Sequence, residues 1–237
     1  MKTDWLADID LYCERTAPIF WAEPFNAISN LSFIAAACWG YYTVVKLKMK
    51  NTLNIILCTL AASIGAGSFL FHTYANLWSS FADVIPIWTF VAVSIIAAIT
   101  RITDKSLSRV TIITLGIFAI IVAVSWIISS GSATQMGTSN DVLNDSGQYA
   151  PALIALWVFA FKSKNSHIYK WILAAAIVFS LSLFARTVDL YLCHIFPIGT
   201  HFAWHLLNGL MVALLLQGII RMQKHHELAR GAVSDGN

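Results

Sequence analysis

The chain has 237 residues, of which 58% are hydrophobic and only 11% are charged. A typical soluble domain carries about 25% charged residues, so this composition excludes an ordinary soluble fold. It also excludes disorder, because disordered chains are highly charged and poor in aromatic residues. A net charge of +3, without a basic tract, argues against a nucleic-acid partner.

The apolar residues form seven long runs, and about 20 apolar residues are enough to cross a bilayer core of about 30 Å. The runs are Pro24–Val45, Leu53–Tyr74, Phe81–Thr100, Val110–Ser129, Tyr149–Phe161, Tyr169–Leu190 and Thr200–Ile220. The sequence therefore predicts an all-α membrane protein, a bundle of seven transmembrane helices in a lipid bilayer. We divide it into an acidic leader (1–23), a membrane domain (24–222) and a cytoplasmic tail (223–237).

The basic residues predict the orientation of the bundle. The first, third and fifth loops and the tail carry three Lys or Arg residues each, which makes 12 of the 15 in the chain. Because cytoplasmic loops are enriched in Lys and Arg, we expect the N-terminus outside and the C-terminus in the cytoplasm. A bacterial inner membrane, with the site toward its outer side, is the expected location.

Three histidines fall at one depth in the outer half of this predicted bundle. His201 and His205 are four residues apart, so they share a helix face, and His72 lies at the outer end of another run. Three His ligands with one open position are typical of a catalytic zinc site. Each histidine alone could instead bond a neighbouring carbonyl, but the HxxxH pair with a third histidine at matched depth favours zinc.

Two further polar residues lie beside these histidines. Ser68 precedes His72 by four residues, so its hydroxyl could stabilise an oxyanion, or it could serve only as a small packing residue with its neighbouring glycines. Asp83 begins the third run, where it could act as a general base or balance a helix dipole. Asp189 could orient a histidine, although the sequence favours a pair with Arg186.

The leader is rich in acidic residues: Asp8, Asp10, Glu14 and Glu23. Carboxylates are typical calcium ligands, but the spacing is not that of an EF-hand. A solvated acidic segment that helps to keep the N-terminus outside is the simpler interpretation of the composition alone.

Three motifs occur together along nearly the whole chain. They are Ala22-Glu23-Pro24-Phe25-Asn26-Ala27-Ile28-Ser29-Asn30, Gly65-Ala66-Gly67-Ser68-Phe69-Leu70-Phe71-His72-Thr73, and the HxxxH of His201 and His205. With these motifs, in this order and on these runs, the chain resembles the alkaline ceramidases, part of a superfamily of seven-span membrane hydrolases. The resemblance implies a zinc-dependent amidase that hydrolyses the N-acyl bond of a ceramide-like membrane lipid to a sphingoid base and a free fatty acid.

The resemblance also implies roles for individual residues. His72, His201 and His205 match the zinc ligands, Ser68 the active-site serine that supports the oxyanion, and Asp83 the active-site acid. Glu14 and Glu23 match acidic ligands of a calcium site, with Asp10, Tyr12 and Thr16 as its further members. The leader departs from the family pattern here, because Tyr12 replaces Trp, Thr16 replaces Asn, and Asp10 lies one residue further from Cys13. The resemblance also favours a disulfide between Cys13 and Cys193.

Two alternatives remain open at this point. One is a related seven-span hydrolase that acts on a different lipid amide or ester. The other is a receptor-like protein with structural zinc, similar to the adiponectin receptors. The sequence does not predict an oligomeric state.

Overall fold

The computed structural model describes residues 4–103, 106–116, 119, 143–144 and 146–234. Its helices are α1 (Pro24–Ser29), α2 (Leu31–Lys46), α3 (Thr52–Tyr74), α4 (Leu77–Thr103), α5 (Leu107–Gly116), α6 (Ala150–Lys162), α7 (Tyr169–Leu192) and α8 (His201–Ser234). A 3₁₀ turn, Ser146–Tyr149, leads into α6. In these ranges β structure is limited to one isolated bridge between Asp8 and Asn76.

Within the described part of the chain, five helical segments are long and apolar enough to cross a membrane. They are Pro24–Lys46, Thr52–Tyr74, Leu77–Arg101, Tyr169–Leu192 and His201–Lys224. The prediction of a helical membrane protein is therefore confirmed. The helix α6 has only 13 residues, and most of the predicted run Val110–Ser129 lies outside the described residues. The count of seven spans and the orientation of the termini stay predictions.

Two helix boundaries differ from the predicted runs for local chemical reasons. The first run is divided at Asn30, whose side-chain amide donates to the Asn26 carbonyl at 2.9 Å and so competes with regular helix bonding. The helix α4 begins at Leu77 instead of Phe81. Asn76 caps it, because its side-chain oxygen accepts the Ser79 N–H at 3.2 Å.

Close helix packing brings two predicted site residues together. The helices α3 and α4 pack along each other, as do α7 and α8, and α8 also packs along α2. A Cβ atom at Gly67 would lie 1.9 Å from the carbonyl oxygen of Ala82. Only glycine fits this crossing of α3 and α4, and the next residues along each helix are Ser68 and Asp83.

The leader is fixed at the ends of α3, which carries His72, and of α7, which precedes the helix with His201 and His205. Cys13 and Cys193 form a disulfide, as the family resemblance favours, and this bond ties the leader to the end of α7. The Ile9 N–H also donates to the Ala75 carbonyl at 2.8 Å, directly after α3. The leader is thus attached to both α3 and α7.

Candidate metal centre and active site

The start of α8 is built so that it presents two histidines inward. Asp189, fully buried in α7, accepts the backbone N–H groups of Thr200 at 2.6 Å and His201 at 2.9 Å. It therefore acts as a cap from another helix for the unsatisfied donors at the start of α8. The pair between Asp189 and Arg186 that the sequence favoured does not form, because the Asp189 carboxylate instead accepts hydrogen bonds from the start of α8.

His72 is held in one tautomer by the leader. Its Nδ1 lies 2.6 Å from Glu23 Oε2, and its buried Nε2 has no hydrogen-bond partner. A carboxylate accepts hydrogen bonds, so Nδ1 carries the proton and Nε2 presents a lone pair. A carboxylate behind a histidine in this way is common at metal sites, where it orients the ring and raises its basicity.

His205 is oriented in the same manner. Its Nδ1 lies 3.0 Å from the Asn26 carbonyl oxygen and 2.8 Å from Ser29 Oγ. A carbonyl oxygen only accepts, so Nδ1 carries the proton and Nε2 is left as the ligand atom.

The three imidazoles converge. The ring centroids of His72, His201 and His205 lie 4.6–5.2 Å apart, and their candidate ligand atoms all fall within 4.8 Å of one another. His201 Nδ1, like His72 Nε2, is buried without a partner. Three imidazoles whose candidate ligand atoms lie this close together fit a metal ion bound by three neutral nitrogens, which is consistent with zinc.

Ser68 and Asp83 face a large cavity next to the histidines. Ser68 is 3% exposed and lies close enough to Asp83 to interact with its carboxylate, which also interacts with His72. Asp83 Oδ1 is buried and has no hydrogen-bond partner. The two residues are therefore available to a bound substrate beside the imidazole cluster.

The cavity has a volume of about 460 Å³ and runs along the bundle. Its wall on α4 extends from Ser80 to Ile99, which corresponds to about 28 Å along a helix axis. His201 and His205 line it together with a mainly apolar wall that includes Phe90, Leu156 and Phe179. Its shape suits a long alkyl chain whose polar end lies at the histidines.

The family model described as Ceramidase matches residues 7–232, nearly the whole chain. The chain belongs to the ceramidase family. Membership implies an amide hydrolase with a lipid substrate. No curated protein matches the chain.

The predicted calcium residues of this ceramidase-family chain occupy different environments. Asp10 and Thr16 are exposed, whereas Tyr12 points inward and stacks on the His201 ring with centroids 3.6 Å apart. Glu14 accepts the backbone N–H groups of Phe25 at 2.7 Å and Asn26 at 2.8 Å, at the start of α1.

Glu23 is also fully engaged. Besides His72, it accepts from Asn26 Nδ2 at 3.0 Å and from Arg15 Nε at 2.5 Å. Burial alone raises the pKa of the Glu23 carboxyl, but hydrogen bonds from His72, Asn26 and Arg15 outweigh burial and hold its pKa below the ordinary value. By contrast, burial raises the pKa of Glu14, although its two backbone hydrogen bonds oppose the shift.

These contacts do not fit a calcium ion bound by Asp10, Tyr12, Glu14, Thr16 and Glu23. In the described part of the chain, only the three histidines bring three potential ligand atoms within 4.8 Å of one another. The cation that meets Glu23 is the guanidinium of Arg15, so the structure gives the calcium prediction no support.

Sequence reasoning missed Arg15 and gave Tyr12 a different role, as a member of the calcium site. Arg15 reaches both Glu23 and, at 3.4 Å, the His72 carbonyl. Tyr12 covers the face of His201. Arg15 lies beside Glu14 in the acidic leader, and a basic residue among these acids was the available signal.

Proposed function

We propose that this chain is a zinc-dependent intramembrane amidase that hydrolyses the N-acyl bond of ceramide-like lipids, with a sphingoid base and a free fatty acid as products. The observation that carries the proposal is the convergence of three imidazoles at the polar end of an apolar cavity. Family membership supports the amide as the scissile bond.

Under this proposal His72, His201 and His205 hold the zinc ion. A zinc ion held there would supply Lewis-acid chemistry, the activation of water near neutral pH and the polarisation of a carbonyl group. Neighbouring residues of the chain fix the tautomers of two of these histidines. Glu23 holds the His72 proton on Nδ1, and the Asn26 carbonyl holds the His205 proton on Nδ1.

Asp83 and Ser68 act on the substrate. Asp83 accepts the proton of the attacking water as general base and returns it to the departing amine, which thereby leaves as a neutral group. Ser68 donates its hydroxyl proton as a hydrogen bond to the developing oxyanion. The apolar cavity wall binds the alkyl chain, so the amide stays at the imidazoles.

We further propose the seven-span arrangement with the N-terminus outside, which places this site in the outer half of the membrane. The support is the distribution of Lys and Arg and the disulfide at Cys13, because such bonds persist in oxidising compartments. Labelling single cysteines introduced at each end of the chain with an impermeant reagent tests the orientation.

Purified protein in detergent tests the reaction and its metal. We expect about one zinc per chain and equimolar release of sphingoid base and fatty acid from ceramide, followed by mass spectrometry. His201→Ala should lose both zinc and hydrolysis, whereas Asp83→Asn should keep zinc and lose turnover. Hydrolysis of another N-acyl lipid or ester in preference to ceramide would favour the related-hydrolase alternative. Bound zinc without any hydrolysis would favour the receptor-like one.

A further inference from the structure

A positively charged side chain lies buried in the cavity wall and takes no part in the steps above. Arg186 belongs to α7, is 5% exposed, and lines the cavity with Asp83 and His201. A charged residue inside a membrane bundle is costly and usually marks a ligand or an ion path.

The described side chains in direct contact with the Arg186 guanidinium are aromatic and neutral. Its Nη1 donates to the Tyr12 hydroxyl at 3.1 Å, and its guanidinium carbon lies 5.5–5.7 Å from the ring centroids of Tyr12, Tyr149 and Trp204. The buried Nε has no hydrogen-bond partner. Among the described residues, no carboxylate oxygen lies within 4.0 Å of this guanidinium.

Aromatic faces attract a cation but do not neutralise it. Asp83 interacts with the charge of Arg186 electrostatically from the same cavity wall but is not in contact with it. A buried guanidinium that no carboxylate of the described residues contacts is costly, so it favours an anion that enters from the cavity. The guanidinium also has the planar set of donors that recognises a carboxylate. Tyr12 links it to the metal centre, because the ring that accepts from Arg186 through its hydroxyl stacks on His201.

We propose that Arg186 and Tyr12 form an anion subsite of the cavity, which binds the negatively charged oxygens at the head of a single alkyl chain. The chain of such an amphiphile lies along the apolar wall, and its head lies at the guanidinium. The proposal rests on the proposed function for the origin of one such anion, the carboxylate of the released fatty acid. An acidic group on the amine half of the substrate has the same chemistry and is the other source.

Binding to the purified, detergent-solubilised protein tests the subsite without requiring turnover. Palmitic acid and hexadecanol share one chain length and differ in charge, so their affinities by calorimetry isolate the headgroup. We expect palmitate to bind the unaltered protein at least tenfold more tightly than hexadecanol. Arg186→Met should abolish this ratio and leave hexadecanol binding unchanged, and Arg186→Lys should reduce the ratio three- to tenfold.

Ser94→Ala is the matched control, because Ser94 is also a buried polar residue of the cavity wall and should leave the ratio unchanged. A second arm compares two N-acyl lipids that differ only in a sulfonate or a hydroxyl on the amine half. Preference for the sulfonate without preference for palmitate would assign the subsite to the substrate.

Equal binding within both pairs of ligands by the unaltered protein would overturn the proposal, whether or not any variant folds. A ratio that survives in Arg186→Met would overturn it as well. A preference for palmitate without hydrolysis of any lipid would support the anion subsite and refute the proposed function. Hydrolysis without any anion preference would support the proposed function and refute the subsite.

Discussion

The contact between Glu23 and His72 makes a quantitative prediction about zinc affinity. Glu23 is 2% exposed, and its Oε2 lies 2.6 Å from His72 Nδ1. Glu23→Gln keeps the shape of the side chain but replaces a charged acceptor by a neutral amide. Hydrogen bonds to charged groups contribute about 1.5–3 kcal/mol and neutral ones about 0.5–1.5, so about 1–2 kcal/mol is lost at His72.

This loss corresponds to about a 5- to 30-fold decrease in zinc affinity. It agrees with the roughly 10- to 100-fold effect seen when the residue behind a metal-binding histidine is replaced. Competition with a chromophoric chelator in detergent measures the change directly. Glu14→Gln is the matched control, because Glu14 is a buried carboxylate of the same leader that bonds backbone N–H groups instead of His72.

The same substitution removes the partner of Arg15, whose side chain is 5% exposed. Breaking a buried ion pair by removing one partner costs about 3–5 kcal/mol, so Glu23→Gln should also lower thermal stability. The double variant Arg15→Gln, Glu23→Gln removes the stranded charge. We expect it to recover most of the stability and none of the zinc affinity.

Zinc binding by Glu23→Gln as tight as that of the unaltered protein would show that the carboxylate does not support His72. The same loss in Glu14→Gln, or a return of zinc affinity together with stability in the double variant, would show this equally.

Three further predictions follow from the site and its surroundings. Ser68→Ala should keep zinc and lower kcat about 100-fold, the usual cost of one oxyanion donor, and an unchanged kcat would remove Ser68 from the reaction. Gly67→Ala should lower the melting temperature and the activity, because its Cβ would meet the Ala82 carbonyl. Gly116→Ala, where an added Cβ meets nothing within 4 Å, should change neither. A calcium-selective chelator should leave hydrolysis intact, whereas a zinc chelator should abolish it. A loss of activity with the calcium chelator that added calcium restores would show that Arg15 does not take the place of a calcium ion at Glu23.

The helices and the histidine cluster were predictable because their signals are local. Apolar runs mark the spans, and the spacing of His201 and His205 places both on one helix face whatever the rest of the chain does. His72 could be added because the outer ends of neighbouring spans lie at one depth.

The contacts of the leader were not predictable from such patterns. Tyr12 reaches His201 and Arg15 reaches Glu23 and His72 across an irregular segment, and no periodicity fixes its path. For Arg186 and Asp189, a local pattern predicted a contact that does not form. Three residues apart, they were natural partners on one helix, but Asp189 bonds the start of α8, a contact 12 residues away in sequence.

The disulfide between Cys13 and Cys193 makes the attachment of the leader depend on the redox state of its compartment. Tyr12, which covers His201, and Arg15, which secures Glu23, flank Cys13 on either side. In a reducing compartment the chain would lack this disulfide. The leader would then be held over the imidazoles by noncovalent contacts alone. With the N-terminus outside, as proposed above, formation of this disulfide would depend on export of the leader.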